Sequence, residues 1–324
     1  MSNIKKQSDT PEIEADRKKV MEMESQFDKA MMDSTLAAAG VAPPPFGTAA
    51  DVVSLGRSLF TGDWGGAALD ALGLIPIFGD AAKGTKIAAK VADVTAALSK
   101  AKAALNTKLF ASTRENAKKY WNEIIKKNRA KNLDKELKKC TTEECKKLAK
   151  EKFEKDKSMD PGRLPSSEKG SWVGPDGKPC PKGTGLYKPD PEKNKSLYEA
   201  VKRHGKEGVP FKDGHPDFSE FPPLKGGEPI GDRGKPYQVD IEMSSTSSRA
   251  QDNTACEAAY REKYGKDFDS SYDKFGTWHH EPDGVTMSFV DQKIHTAYKD
   301  ADTGMSNSGT AHAGGNSMWK SEDF

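Results

Sequence analysis

The sequence predicts an α+β protein, with a mainly α-helical N-terminal region followed by a small domain built from two strands and a helix. Two features support this prediction. Residues 48–110 are rich in alanine and glycine, and residues 114–157 are rich in lysine and glutamate; alanine, lysine and glutamate all favour helices. The stretch 275–300 instead carries strand, turn, strand and helix signals in that order.

The composition indicates small folded units joined by polar stretches. Of the 324 residues, 35% are hydrophobic and 31% are charged, and the mean hydropathy is −0.78. A single large core would need more apolar residues than this. The net charge of +2 neither requires nor excludes a nucleic-acid partner, because a local basic surface can act without a basic chain.

We divide the chain into five segments. They are a polar N-terminal helix with a Pro-rich break (1–47), an Ala/Gly-rich helical region (48–110), a charged helical segment (111–160), a linker or irregular lead-in (161–195) and a C-terminal domain (196–324).

The Ala/Gly-rich region is predicted to form three helices, Thr48–Phe60, Trp64–Gly73 and Ala81–Leu109. A membrane-spanning helix needs roughly 20 consecutive apolar residues. Charged residues such as Asp70 and Asp80 interrupt the apolar run here, so a stable membrane span is not expected. Insertion of this region into a target membrane stays open as an alternative.

The N-terminus and the cysteines predict that the protein is made in the reducing cytoplasm. No apolar run follows the lysines of the first six residues, so the chain is not expected to carry a secretory signal. Cys140 and Cys145 are spaced C-x4-C without a second cysteine or histidine pair nearby, which favours reduced thiols over a cysteine zinc site.

All six histidines lie after residue 200, and four of them follow residue 275. His279 and His280 end a predicted strand, and a Pro-Asp-Gly turn and a return strand, Val285–Val290, follow. Asp291 is a suitable N-cap for a helix over residues 292–300, which would carry His295 in its first turns. A helix packed across this hairpin could bring three imidazoles to one place.

Converging histidines suit phosphodiester hydrolysis. A neutral imidazole binds borderline divalent metals, while an unligated imidazole can accept a proton from water. The metal stabilises charge on the phosphate and the base generates the nucleophile. The residue types alone also allow a structural zinc site in a non-enzymatic adaptor.

The motif Trp278-His279-His280-Glu281, followed by Asp283-Gly284, Met287, Val290, Ile294-His295 and His312-Ala313-Gly314-Gly315, resembles the WHH family of toxin nucleases. That family belongs to the HNH/endonuclease VII superfamily, whose fold is ββα-metal. Upstream, the stretch from Val209 to Phe218 is similar to the first motif of the same toxin domains. The resemblance covers residues 209–315. Two departures are the inserted stretch 296–311 and Phe289, where the family has leucine.

The resemblance implies a role for each histidine of the motif. His279, at the catalytic centre, and His295 would bind the metal, His280 would be the general base, and His312 would be a third ligand or a phosphate contact. Lys212 and His215, from the upstream motif, are candidate substrate contacts. The cofactor would be one divalent ion, with magnesium, manganese, zinc and nickel left open.

Residues 72–84 are similar to the pre-toxin segments of bacterial polymorphic toxins. Together the resemblances imply an antibacterial effector of the type VI secretion system, made in the bacterial cytoplasm, exported without a signal peptide and active in the target-cell cytoplasm. Expected partners are DNA, a cognate immunity protein, and a secretion-system spike or tube component or adaptor chaperone. The alternatives are a ribonuclease with the same site and a membrane-acting toxin that works through residues 48–110.

Overall fold

A computed structural model describes residues 10–39, 84–155, 157–242, 248–296, 298–299, 306–307 and 309–313. The predicted helices Thr48–Phe60 and Trp64–Gly73, the Pro-rich break and most of the pre-toxin-like segment lie outside these ranges, as do Gly314 and Gly315.

The described residues form both helices and strands, which confirms the α+β class. The helices are α1 (Pro11–Ala39), α2 (Gly84–Lys139), α3 (Glu143–Lys155), α4 (Lys195–Arg203), α5 (Arg249–Tyr264) and α6 (Gln292–His295). The strands are β1 (Gly170–Val173), β2 (Gly185–Pro189), β3 (Val209–Lys212), β4 (His215–Pro216), β5 (Leu224–Lys225), β6 (Glu228–Pro229), β7 (Tyr237–Asp240), β8 (Gly276–His280), β9 (Thr286–Asp291), β10 (Tyr298–Lys299) and β11 (Ser306–Asn307). A 3-10 helix spans Ser270–Lys274.

The N-terminal helices α1 and α2 pack together along one apolar seam. Ile13 and Val20 of α1 lie against Leu98, Leu105 and Leu109 of α2. Helix α2 runs on through the predicted boundary at residue 110, so the Ala-rich and charged segments share one helix. No helix in the described ranges is long and apolar enough to cross a membrane.

A disulfide joins Cys140 to Cys145, which corrects the expectation of reduced thiols for this pair. Helix α2 ends at Lys139 and α3 begins at Glu143, and the turn between them brings the two Cα atoms to 5.4 Å. That separation is within the usual range for a disulfide. Cys180 and Cys256 are free thiols, as predicted.

The stretch 161–195 contributes two strands to a sheet, where a linker or irregular lead-in was expected. Strands β1 to β4 form a four-stranded antiparallel sheet in sequence order. Trp172 of β1 and Tyr187 of β2 are buried beside Leu197 and Val201 of α4. A domain cut at residue 196 would therefore lose half of this sheet and two of its aromatic core residues.

A second antiparallel sheet has the strand order β7-β9-β8. Its β8–β9 hairpin confirms the predicted strand–turn–strand, with Trp278 opposite Phe289 and His280 opposite Met287. Gly284 has a φ of +75° in the turn, a conformation that favours glycine.

The helix that follows this hairpin is shorter than predicted. Helix α6 ends at His295 and the backbone of Thr296 is extended, with φ −115° and ψ 136°. The chain then forms β10, which pairs with β11. The prediction of a helix to residue 300 is therefore wrong, because pairing with a later segment replaces the last predicted turn.

The two faces of the second sheet are buried in different cores. Trp278, Met287 and Phe289 pack against Cys256 and Tyr260 of α5. On the opposite face Val290 joins the core that contains Phe218, Phe221 and Ile294. Successive strand residues point to opposite faces, and this alternation decides on which side each histidine of β8 lies.

Helix α2 also packs against the C-terminal domain. Ala117, Trp121, Ile124 and Ile125 of α2 form a buried cluster that Ala313 contacts. Arg114 donates to Asp240 and to Asp283, at 2.7 and 3.1 Å. The part of α2 from Ala117 to Ile125 is thus buried against the C-terminal part of the chain.

Candidate metal centre

Strand alternation places His279 on the side of the second sheet opposite to Trp278. Its imidazole is 4% exposed and packs edge-on against Phe218, with ring centroids 5.0 Å apart. The neighbouring β9 residue on this face is Ser288, which is opposite His279 in the register. The predicted first ligand is therefore held inside the protein by a regular strand.

The short helix α6 presents His295 to the same place. Asp291 caps this helix, since its Oδ1 accepts from the Lys293 N–H at 2.7 Å. The other oxygen of Asp291 lies 3.0 Å from His204 Nε2. With Ile294 fully buried, the helix has one fixed orientation despite its single turn.

His312 lies in a segment that is hydrogen-bonded to the end of α6. The Thr310 N–H donates to the Ile294 carbonyl at 2.7 Å. The His312 Nδ1–H donates to the Thr310 carbonyl, also at 2.7 Å. The residues between His295 and His312 thus return the chain to the site.

The three predicted ligands lie together, and we call His279, His295 and His312 the histidine triad. Their ring centroids are 4.9 to 5.2 Å apart. One nitrogen of each lies within 4.8 Å of the others, close enough to bind one metal ion. His279 Nδ1 and His295 Nε2 are 2.9 Å apart, against about 3.3 Å for two nitrogens on a tetrahedral zinc ion. These two nitrogens would have to separate by a few tenths of an ångström to bind the same ion.

The electrostatics of the triad favour the ligand form of histidine. Burial lowers the pKa of His279 and of His295 well below the ordinary value, and the neighbouring histidines lower both further. Burial also lowers the pKa of His312. All three imidazoles are therefore neutral near pH 7, the state in which a ring nitrogen can bind a metal.

Two of the three triad histidines, His295 and His312, have a hydrogen-bond partner for the second nitrogen. Thr296 Oγ1 lies 2.6 Å from His295 Nδ1, and the Thr310 carbonyl accepts from His312 Nδ1. Glu281 Oε2 is farther, 4.0 Å from His279 Nε2. Such outer partners fix the ring orientation and tautomer of metal ligands. They leave Nδ1 of His279 and Nε2 of the other two facing the centre.

His280 does not join the triad. The next residue along β8 points to the other face, where His280 Nε2 lies 3.1 Å from Asp252 Oδ2 of helix α5. His280 is still near enough to influence the triad, because a positive charge on its ring would lower the pKa of both His279 and His295. The predicted base is thus beside the predicted ligands and not among them.

Two arginines lie at the margin of the triad. Arg249, the first residue of α5, donates through Nη2 to Thr277 Oγ1 at 2.7 Å, and its charge contributes to the lowered pKa of His295. The charge of Arg163 acts in the same way on His312. Both residues are exposed, and their positive charges act on the triad from two separate segments of the chain.

Glu281 carries an unusual carboxyl group beside the triad. Burial raises its pKa to about 7, although a hydrogen bond from Ser288 opposes this shift. The Ser288 hydroxyl donates to Glu281 Oε1 at 2.6 Å. The nearby Asp283 has a structural role in the turn, because its Oδ1 accepts from the backbone N–H groups of Val285 and Thr286. The Glu281 carboxyl has no such role in the turn and lies close to His279.

No family model, no curated protein and no solved structure matches the chain.

The two candidate substrate contacts differ in their exposure. Lys212 is exposed on β3 and pairs in register with His215 of β4. His215 instead stacks on Trp121 of helix α2, with ring centroids 3.5 Å apart. Burial lowers the pKa of His215 to about 3, and the nearby His312 adds to this shift. His215 therefore forms part of the contact between α2 and the C-terminal domain.

Two further residues at this site, Asp252 and Trp121, were not predicted from the sequence. Asp252, Cys256 and Tyr260 are the buried residues of α5 and recur every four positions. An aspartate on the apolar stripe of a helix is a sequence signal of a buried partner, because an unpaired buried charge is costly. No comparable signal distinguishes Trp121 from an ordinary core residue.

A pH dependence of stability follows from His215. Because its pKa of about 3 in the folded chain lies below the ordinary 6.5, the unfolded chain binds a proton that the folded chain excludes. The free energy of unfolding therefore decreases as the pH falls from 6.5, by up to about 1.4 kcal/mol per pH unit for this group. We expect urea unfolding in EDTA, between roughly pH 7 and pH 5, to show a shallower pH slope for His215→Phe.

The phenylalanine variant is a matched control because it keeps a ring against Trp121 and removes only the titrating group. Equal slopes for the two proteins would show that His215 is protonated to the same extent in both states, contrary to this expectation.

Proposed function

We propose that this protein is a metal-dependent endonuclease that hydrolyses the phosphodiester bonds of DNA. The observation that carries the proposal is the convergence of His279, His295 and His312 within metal-binding distance of one another. These residues come from a strand, a short helix and a returning segment. The resemblance to WHH nucleases implies that His279 and His295 are ligands and that His312 is a third ligand or a phosphate contact. In this proposal the surrounding domain is of the ββα-metal type.

The triad fits a divalent metal, and its three imidazole nitrogens favour zinc or nickel over the oxygen-seeking magnesium and manganese. When bound, the metal would stabilise negative charge on the phosphate and on the leaving oxygen. The residues of the chain would supply the remaining chemistry. His280 points away from the triad but lies within electrostatic reach of His279 and His295. It would take a proton from the attacking water through Nδ1, because its Nε2 is directed at Asp252.

The exposed guanidinium of Arg249 would hold a phosphate oxygen in place for this attack. Arginine suits that task because its planar fork of donors matches the geometry of phosphate. A water oxygen would then form a bond to phosphorus as the bond from phosphorus to the leaving sugar oxygen breaks. The products would be a 5′ and a 3′ strand end, one of which carries the phosphate.

The biological part of the proposal is an antibacterial effector delivered by a type VI secretion system, with a cognate immunity protein in the producing cell. It is supported by the resemblance of residues 209–315 to WHH toxin nucleases and of residues 72–84 to pre-toxin segments. Delivery through a spike, tube or adaptor component and action in the target-cell cytoplasm belong to the same proposal.

Plasmid cleavage by the purified full chain tests the proposed chemistry. The full chain is required because β1 and β2 precede residue 196 and complete the first sheet. The assay is run in EDTA and then with each of zinc, nickel, manganese and magnesium. Nicking that needs a metal supports the proposal, whereas cleavage of RNA alone would change the substrate. Failure of the metal-loaded chain to cleave either nucleic acid would reject it.

A further inference from the structure

Helix α5 begins at a fixed point next to the second sheet. Ser248 and Gln251 form a capping box, in which the Gln251 N–H donates to Ser248 Oγ at 3.3 Å and the Ser248 N–H donates to Gln251 Oε1 at 2.6 Å. This pair satisfies the first free backbone donors of the helix. The first turn is therefore set, and with it the position of Asp252.

Asp252 is a buried acid on the packed face of this helix. It is 4% exposed and lies one turn before Cys256, on the same stripe as Tyr260. Burying a carboxylate is unfavourable unless a partner compensates. The helix N-terminus stabilises a negative charge at this position, and His280 offers the side-chain partner.

The contact between the two side chains fixes one tautomer of His280. Asp252 Oδ2 lies 3.1 Å from His280 Nε2, and the two side chains are only 5% and 11% exposed. An ionised carboxylate can only accept hydrogen bonds, so the proton of the neutral imidazole is on Nε2. Nδ1 is then left with its lone pair, the atom that a base needs.

We infer that Asp252 is a positioning residue that holds His280 in the tautomer and orientation required of a general base. This inference rests on the proposed function of His280 and adds a residue to it. The pair spans 28 positions of sequence and joins two separate elements, α5 and β8. A purely apolar contact would pack these elements equally well without the cost of a buried charge.

The inference predicts a specific loss in the Asp252→Ala variant of the full chain. We expect kcat for plasmid cleavage to fall roughly 10- to 100-fold, the usual cost of removing the partner of an active-site imidazole. KM and metal affinity should not change, because Asp252 acts on the reaction through His280, which is not one of the proposed metal ligands. The matched control is Glu257→Ala, an exposed acid on the same helix, which should cleave at the rate of the unmodified chain.

A double variant separates positioning from a structural role. If Asp252 acts only through His280, then adding Asp252→Ala to His280→Ala should cause no further loss of kcat. A structural residue would instead lower the activity of both backgrounds by the same factor. Multiplying losses would therefore overturn the inference.

The tautomer of His280 gives a readout that does not depend on catalysis. Nitrogen-15 NMR of the imidazole should show Nε2–H in the unmodified chain and a mixture of tautomers in Asp252→Ala. Asp252→Asn is measured as well, because its amide keeps a polar partner at Nε2 in case the alanine variant does not fold. The asparagine amide can accept from Nε2–H or donate to Nε2, so it no longer imposes one tautomer. A single Nε2–H tautomer in the alanine variant, or in the asparagine variant if the alanine variant does not fold, would overturn the inference. If the unmodified chain cleaves no nucleic acid, the proposed function fails, while the NMR result still decides whether Asp252 sets the tautomer.

Discussion

Replacing His295 by alanine is expected to weaken metal binding by more than about a hundredfold and to abolish DNA cleavage. Removing an outer partner of a metal ligand typically costs 10- to 100-fold in affinity, and loss of a direct ligand costs more. The two remaining imidazoles of the triad would leave the ion with fewer protein donors than either structural or catalytic zinc sites have. Cleavage should fall with metal occupancy, since the metal stabilises the charge on the phosphate.

Isothermal titration with zinc and nickel measures this effect, and plasmid cleavage is followed on the same samples. The matched control is His280→Ala, which removes an imidazole from β8 without touching the triad. We expect the control to bind metal with the affinity of the unmodified chain. Equal metal binding by the His295 variant would show that the triad is not the site, and the proposed function would lose its main support.

Local signals were sufficient to predict the β8–β9 hairpin. Pro282, Asp283 and Gly284 form a turn whose carboxylate caps two backbone donors, and Asp291 caps the next helix through its own side chain. These interactions span only a few residues of sequence, so the sequence contains them completely. The predicted convergence of His279 and His295 followed from this local geometry.

Elements that depend on distant pairing could not be predicted in the same way. Strands β1 and β2 have four and five residues within a stretch rich in glycine, proline and lysine, and pairing with β3 stabilises them. Helix α6 stops early because residues 298–299 pair with residues 306–307. In both cases the partner strand decides the structure, and local propensity cannot identify it.

In the candidate site, too, the sequence predicted the local features and not the contacts between distant elements. The motif named the three triad histidines, but the partner of His280 is on another element and adjacent to it only in the fold. Strand alternation separates His280 from His279 by placing them on opposite faces. Both histidines could reach one site only if the strand bent at its end, whereas β8 stays paired with β9 through His280.

The His280→Gln variant is expected to keep its fold and its metal while kcat for DNA cleavage falls by roughly 10²- to 10⁴-fold, the usual contribution of a general base. A glutamine amide can still donate a hydrogen bond to Asp252, so the buried carboxylate keeps a partner. The glutamine amide has no nitrogen that can accept a proton from water. Because a base acts in the transition state, kcat and kcat/KM should fall together.

Comparison with His280→Ala separates this role from a structural one. The alanine variant removes the imidazole partner of the buried Asp252 carboxylate. This variant should therefore unfold at a lower temperature than the glutamine variant. A base predicts that both variants are equally inactive despite this difference in stability. If His280 served only to hold β8 against α5, activity would follow stability, and the glutamine variant would cleave DNA almost as fast as the unmodified chain. Thermal unfolding and plasmid cleavage of the two metal-loaded variants therefore decide between a general base and a buried structural pair.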